Sequence, residues 1–457
     1  MTIHNPPVEP VAEPVAEPRP AGTSGPRTLR RHPETIALHG GSFRFDPASG
    51  AVAVPIYQTT SFQLPGTDGA DRLFALEAAG HLYTRVSNPT QDAFEQRLAE
   101  LEGGAAALAV ASGQAASAFA VLNLARAGDN IVSAAGLYGG TWALFAATLK
   151  SFGIEVRFVD AADPEAFARA TDERTRAYYA ESLPNPKLEV FPIAEVAAIG
   201  RRFGVPLIVD NTAAPLIIRP LEHGAAVVVY STTKYIGGHG TSIGGAIVDG
   251  GNFPWKDLAE RLPSLHEPDP SYQGKSWIEK AAAIDFHPYI LRIRAVLLRN
   301  IGAAISPQNA FQFIQGLETL PLRLRQHNEN AVKVAEFLKG HPKVAKVIFP
   351  KFQEGDTGAR ARKYLKDGHY GALVGFELKD GREAGRRFID SLELLYHVAN
   401  IGDARSLAIH PSTTTHSQLT AEEQLATGVT PGYVRLSIGI EHPDDIIADI
   451  EQALARA

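Results

Sequence analysis

From about residue 88 to residue 231, short apolar runs alternate with segments long enough to form a helix. A strand buried on both faces of a sheet reads as a continuous apolar run, and a helix between two such strands returns the chain so that they lie parallel. The alternation therefore predicts an α/β fold with a mostly parallel, doubly wound sheet. The runs are AAALAVA, NIVSA, VRFVD, RAYYA, PLIVD and AAVVVY, beginning at residues 105, 130, 156, 176, 206 and 225.

The flanking segments predict the domain organisation. Residues 1–33 carry the proline-rich repeat VEPVAEPVAEP and no aromatic residue, so we predict a disordered tail. Residues 34–80 are polar and rich in turn-forming residues, which predicts an extended segment. We assign residues 81–315 to a large domain and residues 316–457, with VAKVIFP, ALVGFEL and YVRLSIGIE, to a smaller C-terminal α+β domain.

Polar side chains follow several of the apolar runs. Ligands of a doubly wound sheet bind outside the carboxyl ends of its strands, so these side chains are the candidate site. The first run leads into a helix at Ser112, and a helix N-terminus favours an anion. The candidates are Gly113 and Gln114 after the first run, Asn185 after the fourth, Asp210 at the end of the fifth, and Ser231, Thr233 and Lys234 after the sixth.

Each of these residues also has a purely structural interpretation. Ser112 with Gly113 could be only a helix N-cap, Asp210 a turn aspartate and Lys234 a solvated surface lysine. Independent structural causes would not place an anion site, a carboxylate, hydroxyls and a lysine at successive strand ends. Their conjunction favours a functional site.

Several other ligand classes are disfavoured. A formal net charge of −6 gives no general attraction to nucleic acid or anionic membranes, and no apolar run has the length of a membrane span. The sequence contains no G-x-x-x-x-G-K-[ST] motif, and GGHGTSIGG lacks the third glycine of a dinucleotide-binding turn. The fifteen histidines show no metal-ligand spacing, so we predict no metal site. The absence of cysteine fits a reducing compartment, and we expect a cytoplasmic protein.

A lysine, a phosphate-sized anion site and a buried carboxylate are the set that pyridoxal 5'-phosphate requires. The lysine amine binds the cofactor aldehyde as a Schiff base, and a desolvated pocket keeps that amine neutral. A carboxylate beside the pyridine nitrogen keeps the nitrogen protonated and makes the ring an electron sink. The residues assigned on this basis are Lys234 for the aldehyde, Asp210 for the ring nitrogen, and Gly113, Gln114, Ser231 and Thr233 for the phosphate.

At these residues the chain closely resembles the Cys/Met-metabolism family of fold-type I pyridoxal-phosphate enzymes. The resemblance runs from about Glu34 onward. The motifs that carry it are YTRVSNPT, ASGQAA, LYGGT, ESLPNPK, VDNT, STTKYIGGHG, SLAIHPSTTTHS and YVRLSIGIE. Their ordered combination is specific, although a single piece such as VDNT is not.

The resemblance implies roles for the residues around the cofactor. Lys234 resembles the Schiff-base lysine, Asp210 the partner of the pyridine nitrogen and Tyr138 the residue stacked on the ring. Ser231 and Thr233 match phosphate-binding hydroxyls. Without the family, Tyr138 would be interpreted as a core aromatic residue.

The resemblance also implies a shared active site between subunits. Tyr83 and Arg85 match a pair that reaches the phosphate in the neighbouring subunit. We therefore expect a homo-oligomer, a tetramer built from dimers that share active sites, with residues 34–80 contacting the neighbouring subunit.

Three residues are similar to those around the substrate carboxylate in the family: Asn185, Ser406 and Arg435. Arg435 has independent support, because it lies in the strand-like run YVRLSIG, where a charge needs a partner. A guanidinium can bind an α-carboxylate through two hydrogen bonds. A structural salt bridge is the alternative.

Within the family, the segment after the lysine run resembles the sulfhydrylases that act on O-acetylhomoserine, through EPDPSYQG and GAAISPQNAFQFIQGLETL. The implied reaction is γ-replacement in methionine biosynthesis, in which sulfide displaces acetate from O-acetyl-L-homoserine to give L-homocysteine, with Tyr138 as an acid/base helper at the leaving group. Methionine γ-lyases are a weaker match, because they carry a cysteine where this chain has Gly140. Cystathionine γ-synthase and γ-lyase activities remain alternatives.

Overall fold

The computed structural model describes residues 31–365, 368–415, 417, 420, 422, 424–425 and 428–457. The predicted disordered tail, residues 1–33, lies outside these residues apart from 31–33, and the first helix begins at Pro33. None of the helices in the described part of the chain is long and apolar enough to cross a membrane.

A seven-stranded sheet forms the larger layer of the described chain, in the order β1-β7-β6-β5-β4-β2-β3. β7 runs antiparallel to β1 and β6, and the remaining pairs are parallel. The prediction of a mostly parallel α/β sheet is confirmed. The strands are β1 (Ala106–Val110), β2 (Asn130–Ala134), β3 (Glu155–Val159), β4 (Thr175–Glu181), β5 (Leu207–Asp210), β6 (Val227–Tyr230) and β7 (Gly245–Asp249).

Both faces of this sheet are buried, as a doubly wound fold requires. Along β4, Tyr178 and Ala180 contribute to one hydrophobic core, whereas Ala177 and Tyr179 contribute to a second core on the opposite face. This alternation follows from the two-residue period of a strand, and it explains why the part AYYA of the run RAYYA is apolar throughout.

Helices cover the two faces. Those before and within the large sheet are α1 (Pro33–His39), α2 (Gly66–Phe74), α3 (Pro89–Glu102), α4 (Gly113–Leu122), α5 (Gly139–Ala143), α6 (Leu149–Ser151), α7 (Glu165–Arg169) and α8 (Ile193–Phe203). A π-helical turn, Leu144–Thr148, joins α5 to α6. The helices after β7 are α9 (Pro263–His266), α10 (Trp277–Ala283), α11 (Pro288–Arg292), α12 (Arg299–Ile301) and α13 (Pro307–Gly340), with a π-helical segment at Ile293–Leu298.

The C-terminal region builds a second sheet, which has five strands among the residues described, in the order β10-β11-β12-β9-β8. Its strands are β8 (Val344–Ile348), β9 (Leu373–Leu378), β10 (Tyr396–His397), β11 (Leu407–Ile409) and β12 (Tyr433–Ser437). The helices around it are α14 (Gly355–Tyr364), α15 (Gly381–Asp390) and α16 (Pro443–Arg456). A smaller α+β layer therefore follows the large one, as the sequence pattern indicates.

Helix α13 links the two layers and packs on the loop that carries Lys234. The predicted boundary between residues 315 and 316 falls within this helix. A Cβ atom at Gly316 would lie 2.1 Å from the main-chain oxygen of Ile236, so only glycine allows this close approach. Arg323 donates hydrogen bonds to the main-chain oxygens of Tyr235 (2.7 Å) and Ile236 (3.2 Å). The lysine loop is thus held in place by α13.

The segment 34–80 combines α1 and α2 with irregular chain. Several of its large apolar side chains are exposed, among them Phe45, Val52 and Phe74. Its predicted contact with a neighbouring subunit stays a prediction.

Candidate active site

The carboxyl ends of β4, β5 and β6 meet at one edge of the large sheet. Glu181 ends β4 and is the register partner of Asp210, which ends β5. β6 ends at Tyr230, and Lys234 lies in the turn that follows. β1 is antiparallel to β7, which is antiparallel to β6, so Gly113 after β1 reaches the same edge. The residues that the sequence analysis selected at the strand ends therefore lie at the same edge of the sheet.

Lys234 lies in a compact turn. Its main-chain N–H donates to Ser231 O (3.2 Å), and its carbonyl accepts from Gly238 N–H (2.7 Å). The side-chain amine donates to Oδ1 of Asn400 at 2.5 Å. Burial lowers the pKa of this amine, and the nearby positive charge of Arg435 lowers the same pKa further. Both effects favour the neutral amine, which is the nucleophilic and basic form.

Asp210 and Glu181 form a half-buried carboxyl pair. Burial and the neighbouring charge of Asp210 raise the pKa of Glu181 to about 8. Burial also raises the pKa of Asp210, while hydrogen bonds from Thr212 and Tyr179 stabilise its ionised form and oppose that rise. A proton is therefore held preferentially by Glu181, which leaves the negative charge on Asp210. An ionised, buried carboxylate is what a protonated pyridine nitrogen requires as its partner.

The start of α4 and the lysine turn form a narrow cradle. Ser112 caps α4, its Oγ accepting from Ala115 N–H at 3.1 Å. A Cβ atom at Gly113 would lie 2.5 Å from Cβ of Ser231, so the helix N-terminus and that serine are in contact. Oε1 of Gln114 accepts from the Thr141 hydroxyl at 3.2 Å. Main-chain N–H groups and a hydroxyl thus converge at a helix N-terminus, which favours a phosphate.

Thr233 is partly engaged elsewhere. Its hydroxyl donates to Gly244 O (3.2 Å) and accepts from Gly244 N–H (3.0 Å). This contact ties the lysine turn to the start of β7. Its predicted phosphate contact stays a prediction.

Tyr138 precedes α5 and is well exposed, with 61% of its surface accessible. Its main-chain N–H donates to the half-buried Glu181 carboxyl group, which fixes the start of α5 relative to the carboxyl pair. A Cβ atom at Gly140 would lie 2.6 Å from Cε1 of Tyr138 and 3.3 Å from Nε2 of Gln114. The ring therefore lies over Gly140 beside the cradle and is largely exposed. Its predicted stacking on the cofactor ring stays a prediction.

Arg435 enters the site from the second sheet. It lies in β12 and is 8% exposed, and it donates from Nη2 to the main-chain oxygen of Asn400 at 3.1 Å. Its Nε is buried without a hydrogen-bond partner, and no salt bridge joins it to a carboxylate in the described part of the chain. The alternative of a structural salt bridge is therefore unsupported. Oδ1 of Asn185 is likewise buried and unpartnered. Both groups have hydrogen-bonding capacity left for a ligand.

Two sets of predicted site residues do not join this cluster. The Ser406 hydroxyl donates to Glu441 (2.9 Å) and accepts from Gly439 N–H (2.8 Å), so its hydrogen bonds are made within the C-terminal region. Tyr83 and Arg85 lie in a separate groove with Ser306 and Pro307, the guanidinium 5.2 Å from the tyrosine ring centre. The roles of these residues stay predictions.

Sequence reasoning missed Glu181 and Asn400. Glu181 directly follows the apolar run RAYYA, so the same strand-end criterion could have found it. Asn400 follows a two-residue strand in a polar loop, and no pattern marks it. Its place beside the lysine depends on how the second sheet docks.

The residues at this edge fit pyridoxal 5'-phosphate. The half-buried Lys234 has a lowered pKa and follows Ser231, which contacts the N-terminus of α4 at Gly113. The carboxyl group of Asp210 lies at the end of the neighbouring strand β5. Unpartnered polar atoms on Asn185 and Arg435 remain for a substrate. No cluster of three metal-ligating side chains occurs among the residues described.

Comparison with known proteins agrees with this chemistry. The chain is 52% identical to the O-acetyl-L-homoserine sulfhydrylase of Leptospira meyeri over 95% of its length and 99% of that protein. It is 46% identical to the homocysteine synthase of Schizosaccharomyces pombe, over 93% and 98% of the two chains. A crystal structure of a Campylobacter jejuni protein, which carries pyridoxyl-lysine phosphate, superposes with a TM-score of 0.88 at 40% identity, over 93% of this chain and all of the other.

The family model for Cys/Met metabolism PLP-dependent enzymes matches residues 34–455, which includes both sheets and every candidate site residue. The resemblance seen in the motifs and the fold-type I expectation are thereby confirmed. One explanation accounts for the lysine after β6, the carboxyl group at the end of β5 and the cradle at the start of α4. This chain belongs to the Cys/Met metabolism PLP-dependent enzyme family.

Proposed function

We propose that this chain catalyses γ-replacement, in which sulfide displaces acetate from O-acetyl-L-homoserine to give L-homocysteine. The full-length similarity to the Leptospira meyeri sulfhydrylase supports this reaction. The structural observation that carries it is the contact between Gly140 and the Tyr138 ring, where a Cβ would lie 2.6 Å from Cε1. A side chain at this position, such as the cysteine of methionine γ-lyases, would require the exposed Tyr138 ring to shift, so the ring position in this chain depends on glycine at residue 140.

Different residues of the site would bind different parts of the cofactor. Gly113, Gln114 and Ser231 would hold the cofactor phosphate, Asp210 its ring nitrogen and Tyr138 its ring face. When bound, pyridoxal phosphate supplies an electron sink for negative charge that develops on the substrate carbons.

The remaining residues act on the substrate. Arg435 and Asn185 bind the α-carboxylate and fix the orientation of the α-carbon. Lys234 takes the α-proton and returns it at the end, because its half-buried amine is readily neutral. A second proton is then removed from the β-carbon, and the electron pair freed there forms the Cβ–Cγ double bond as acetate leaves the γ-carbon with the C–O bonding electrons. Sulfide adds to the γ-carbon to form the C–S bond, and protons return to the β-carbon and then to the α-carbon. In this proposal Tyr138 acts as the acid/base helper that exchanges a proton near the leaving group.

A side-by-side rate measurement tests this reaction. O-Acetyl-L-homoserine with sulfide should give L-homocysteine at least about tenfold faster than L-methionine gives α-ketobutyrate and methanethiol, because acetate is a better leaving group than methanethiolate. A third reaction replaces sulfide with cysteine. Faster methionine cleavage, or cystathionine as the main product, would assign the chain to one of the sibling activities.

We infer that the active unit is a dimer, within a tetramer, and that the protein works in the cytoplasm. Tyr83 and Arg85 are exposed and line a groove of about 440 Å³ that makes no hydrogen bond to the Lys234 cluster in the described chain. Tyr83 and Arg85 would therefore contact a cofactor phosphate only if a second subunit supplied that phosphate. The exposed Phe45 and Val52 offer apolar surface for such a contact.

Hybrid dimers test the shared site. Arg85→Ala and Lys234→Ala chains should each be nearly inactive alone, and mixing them should restore part of the activity, because one of the two sites in a hybrid carries both native residues. The measurement is turnover after mixing, with hybrid formation verified by differently tagged subunits. Verified hybrids without any recovery would indicate a site contained in one chain.

A further inference from the structure

Asn400 contacts both groups that the proposed reaction depends on. Its side-chain Oδ1 accepts a hydrogen bond from Lys234 Nζ at 2.5 Å, and its main-chain oxygen accepts one from Arg435 Nη2 at 3.1 Å. Lys234 belongs to the large sheet layer and Arg435 to the second sheet. One residue therefore connects the reacting amine to the carboxylate anchor across the two layers.

The loop that carries Asn400 is pressed against the lysine turn. Gly402 has a φ of +70°, and a Cβ atom on it would lie 2.7 Å from the main-chain N of Tyr235, the residue after Lys234. Gly402 N–H also donates to the Ser437 hydroxyl at 3.0 Å, which ties the loop to β12. The distance between the carboxamide and the lysine is therefore set by main-chain packing and not by two freely moving side chains.

The chemistry of the acceptor suits a lysine that must gain and lose a proton. A carboxylate at this place would hold the amine as a cation by ion pairing, whereas an amide oxygen accepts from either the charged or the neutral amine. Arg435 is the charged group whose field acts on Lys234 in the described chain, and it opposes the cation. The amine is thus held in place without being held in its charged form.

We propose that Asn400 is a positioning residue for Lys234, whose carboxamide oxygen receives the amine whenever the amine is not joined to the cofactor. The proposal rests on the proposed function, because it assumes that Lys234 carries the cofactor and transfers the substrate proton. It goes beyond that function in assigning the orientation of the free amine to a side chain of the small domain.

Two substitutions separate the side-chain contact from the main-chain contact. Asn400→Ser is too short to reach the amine, and Asn400→Asp replaces the neutral acceptor with a negative charge. Both variants keep the main-chain oxygen that binds Arg435. The serine variant should therefore lose turnover with little change in KM for O-acetyl-L-homoserine, while the aspartate variant should also weaken the anchor by attracting Arg435.

The experiment measures cofactor uptake as well as turnover. Apoenzyme of the wild type, both Asn400 variants and Asn252→Ser is mixed with pyridoxal 5'-phosphate across about pH 6 to 9, and formation of the lysine linkage is followed by visible absorbance. Asn252 is a matched control, because its carboxamide donates to Leu221 O and Ala225 O. Both acceptors precede β6, whereas Lys234 follows it, so the control lies at the opposite end of that strand. Steady-state kcat and KM are then measured on the holoenzymes.

For Asn400→Asp we expect the pH midpoint of linkage formation to rise by at least about one unit, because the new charge stabilises the ammonium form. For Asn400→Ser we expect kcat to fall about tenfold or more, within the range for a disturbed proton transfer, with KM within about twofold of wild type. Asn252→Ser should change neither the midpoint nor the ratio of kcat to KM.

Wild-type linkage kinetics and wild-type kcat in both Asn400 variants would overturn the proposal. So would losses in Asn400→Ser that match those of Asn252→Ser in every measurement, because they would show a purely structural role. Failure of the proposed function is distinguishable because it would appear without any Asn400 substitution: as faster methionine cleavage or cystathionine formation by the wild type, or as a cofactor linkage that survives in Lys234→Ala.

Discussion

Lys234→Ala should lower the turnover of O-acetyl-L-homoserine with sulfide by at least about 10⁴-fold, the largest effect that we expect from a single substitution. The substitution removes the amine that binds the cofactor aldehyde and also the base that transfers the α-proton. Both losses act on the same reaction, and Asn400, whose carboxamide oxygen is hydrogen-bonded to the amine, offers no amine to replace it. The measurement is initial-rate turnover at saturating cofactor.

Lys150→Ala is the matched control for this variant. Lys150 lies exposed in α6, away from the strand ends, so its loss should leave turnover near the wild-type value. Circular dichroism and oligomeric state should be unchanged in both variants. Turnover of Lys234→Ala within about tenfold of the wild type would contradict the assignment.

Arg435→Ala should produce the second large effect, a loss of roughly 2 to 5 kcal/mol in transition-state stabilisation, as expected when a desolvated charged partner is removed. This corresponds to a decrease in kcat/KM of roughly 30- to 4,000-fold. The physical reason is that a buried guanidinium with an unpartnered Nε has no carboxylate of its own in the described chain. The substrate carboxylate is therefore its expected partner.

Arg435→Lys should recover part of this loss, because a lysine restores the charge without the planar pair of donors. The cofactor absorbance of both variants should resemble that of the wild type, since Arg435 is assigned to the substrate and not to the cofactor. Arg126→Ala, which breaks an exposed ion pair with Glu267, serves as the control for loss of an arginine. An unchanged KM for O-acetyl-L-homoserine in Arg435→Ala would place the carboxylate elsewhere.

The large sheet could be predicted from the sequence because its strands are buried on both faces. NIVSA coincides with β2, and RAYYA lies within β4, since continuous burial leaves a continuous apolar run. β7 was not predicted as a strand. Its apolar run AIV is short and follows the glycine-rich loop GGHGTSIGG, and its antiparallel position between β1 and β6 depends on long-range pairing.

The candidate site likewise contains residues that the sequence could predict and residues that it could not. Asp210 and Lys234 follow apolar runs, so strand-end reasoning located them, and the structure places them at one edge of the sheet. Asn400 could not be found from the sequence, because its contact with Lys234 is created by the docking of one layer on another. The Ser406 hydroxyl, by contrast, is held by Glu441 and Gly439, contacts that are also invisible in the sequence.

Identifying the lysine that carries the cofactor is the most direct test of the site. The wild-type protein, purified with pyridoxal 5'-phosphate, is reduced with borohydride, digested and analysed by mass spectrometry. We expect one pyridoxyl group per chain, on the peptide that contains STTKYIGGHG, at Lys234. A pyridoxyl group on any other lysine, or none after reduction of a fully active preparation, would contradict the site described for this chain.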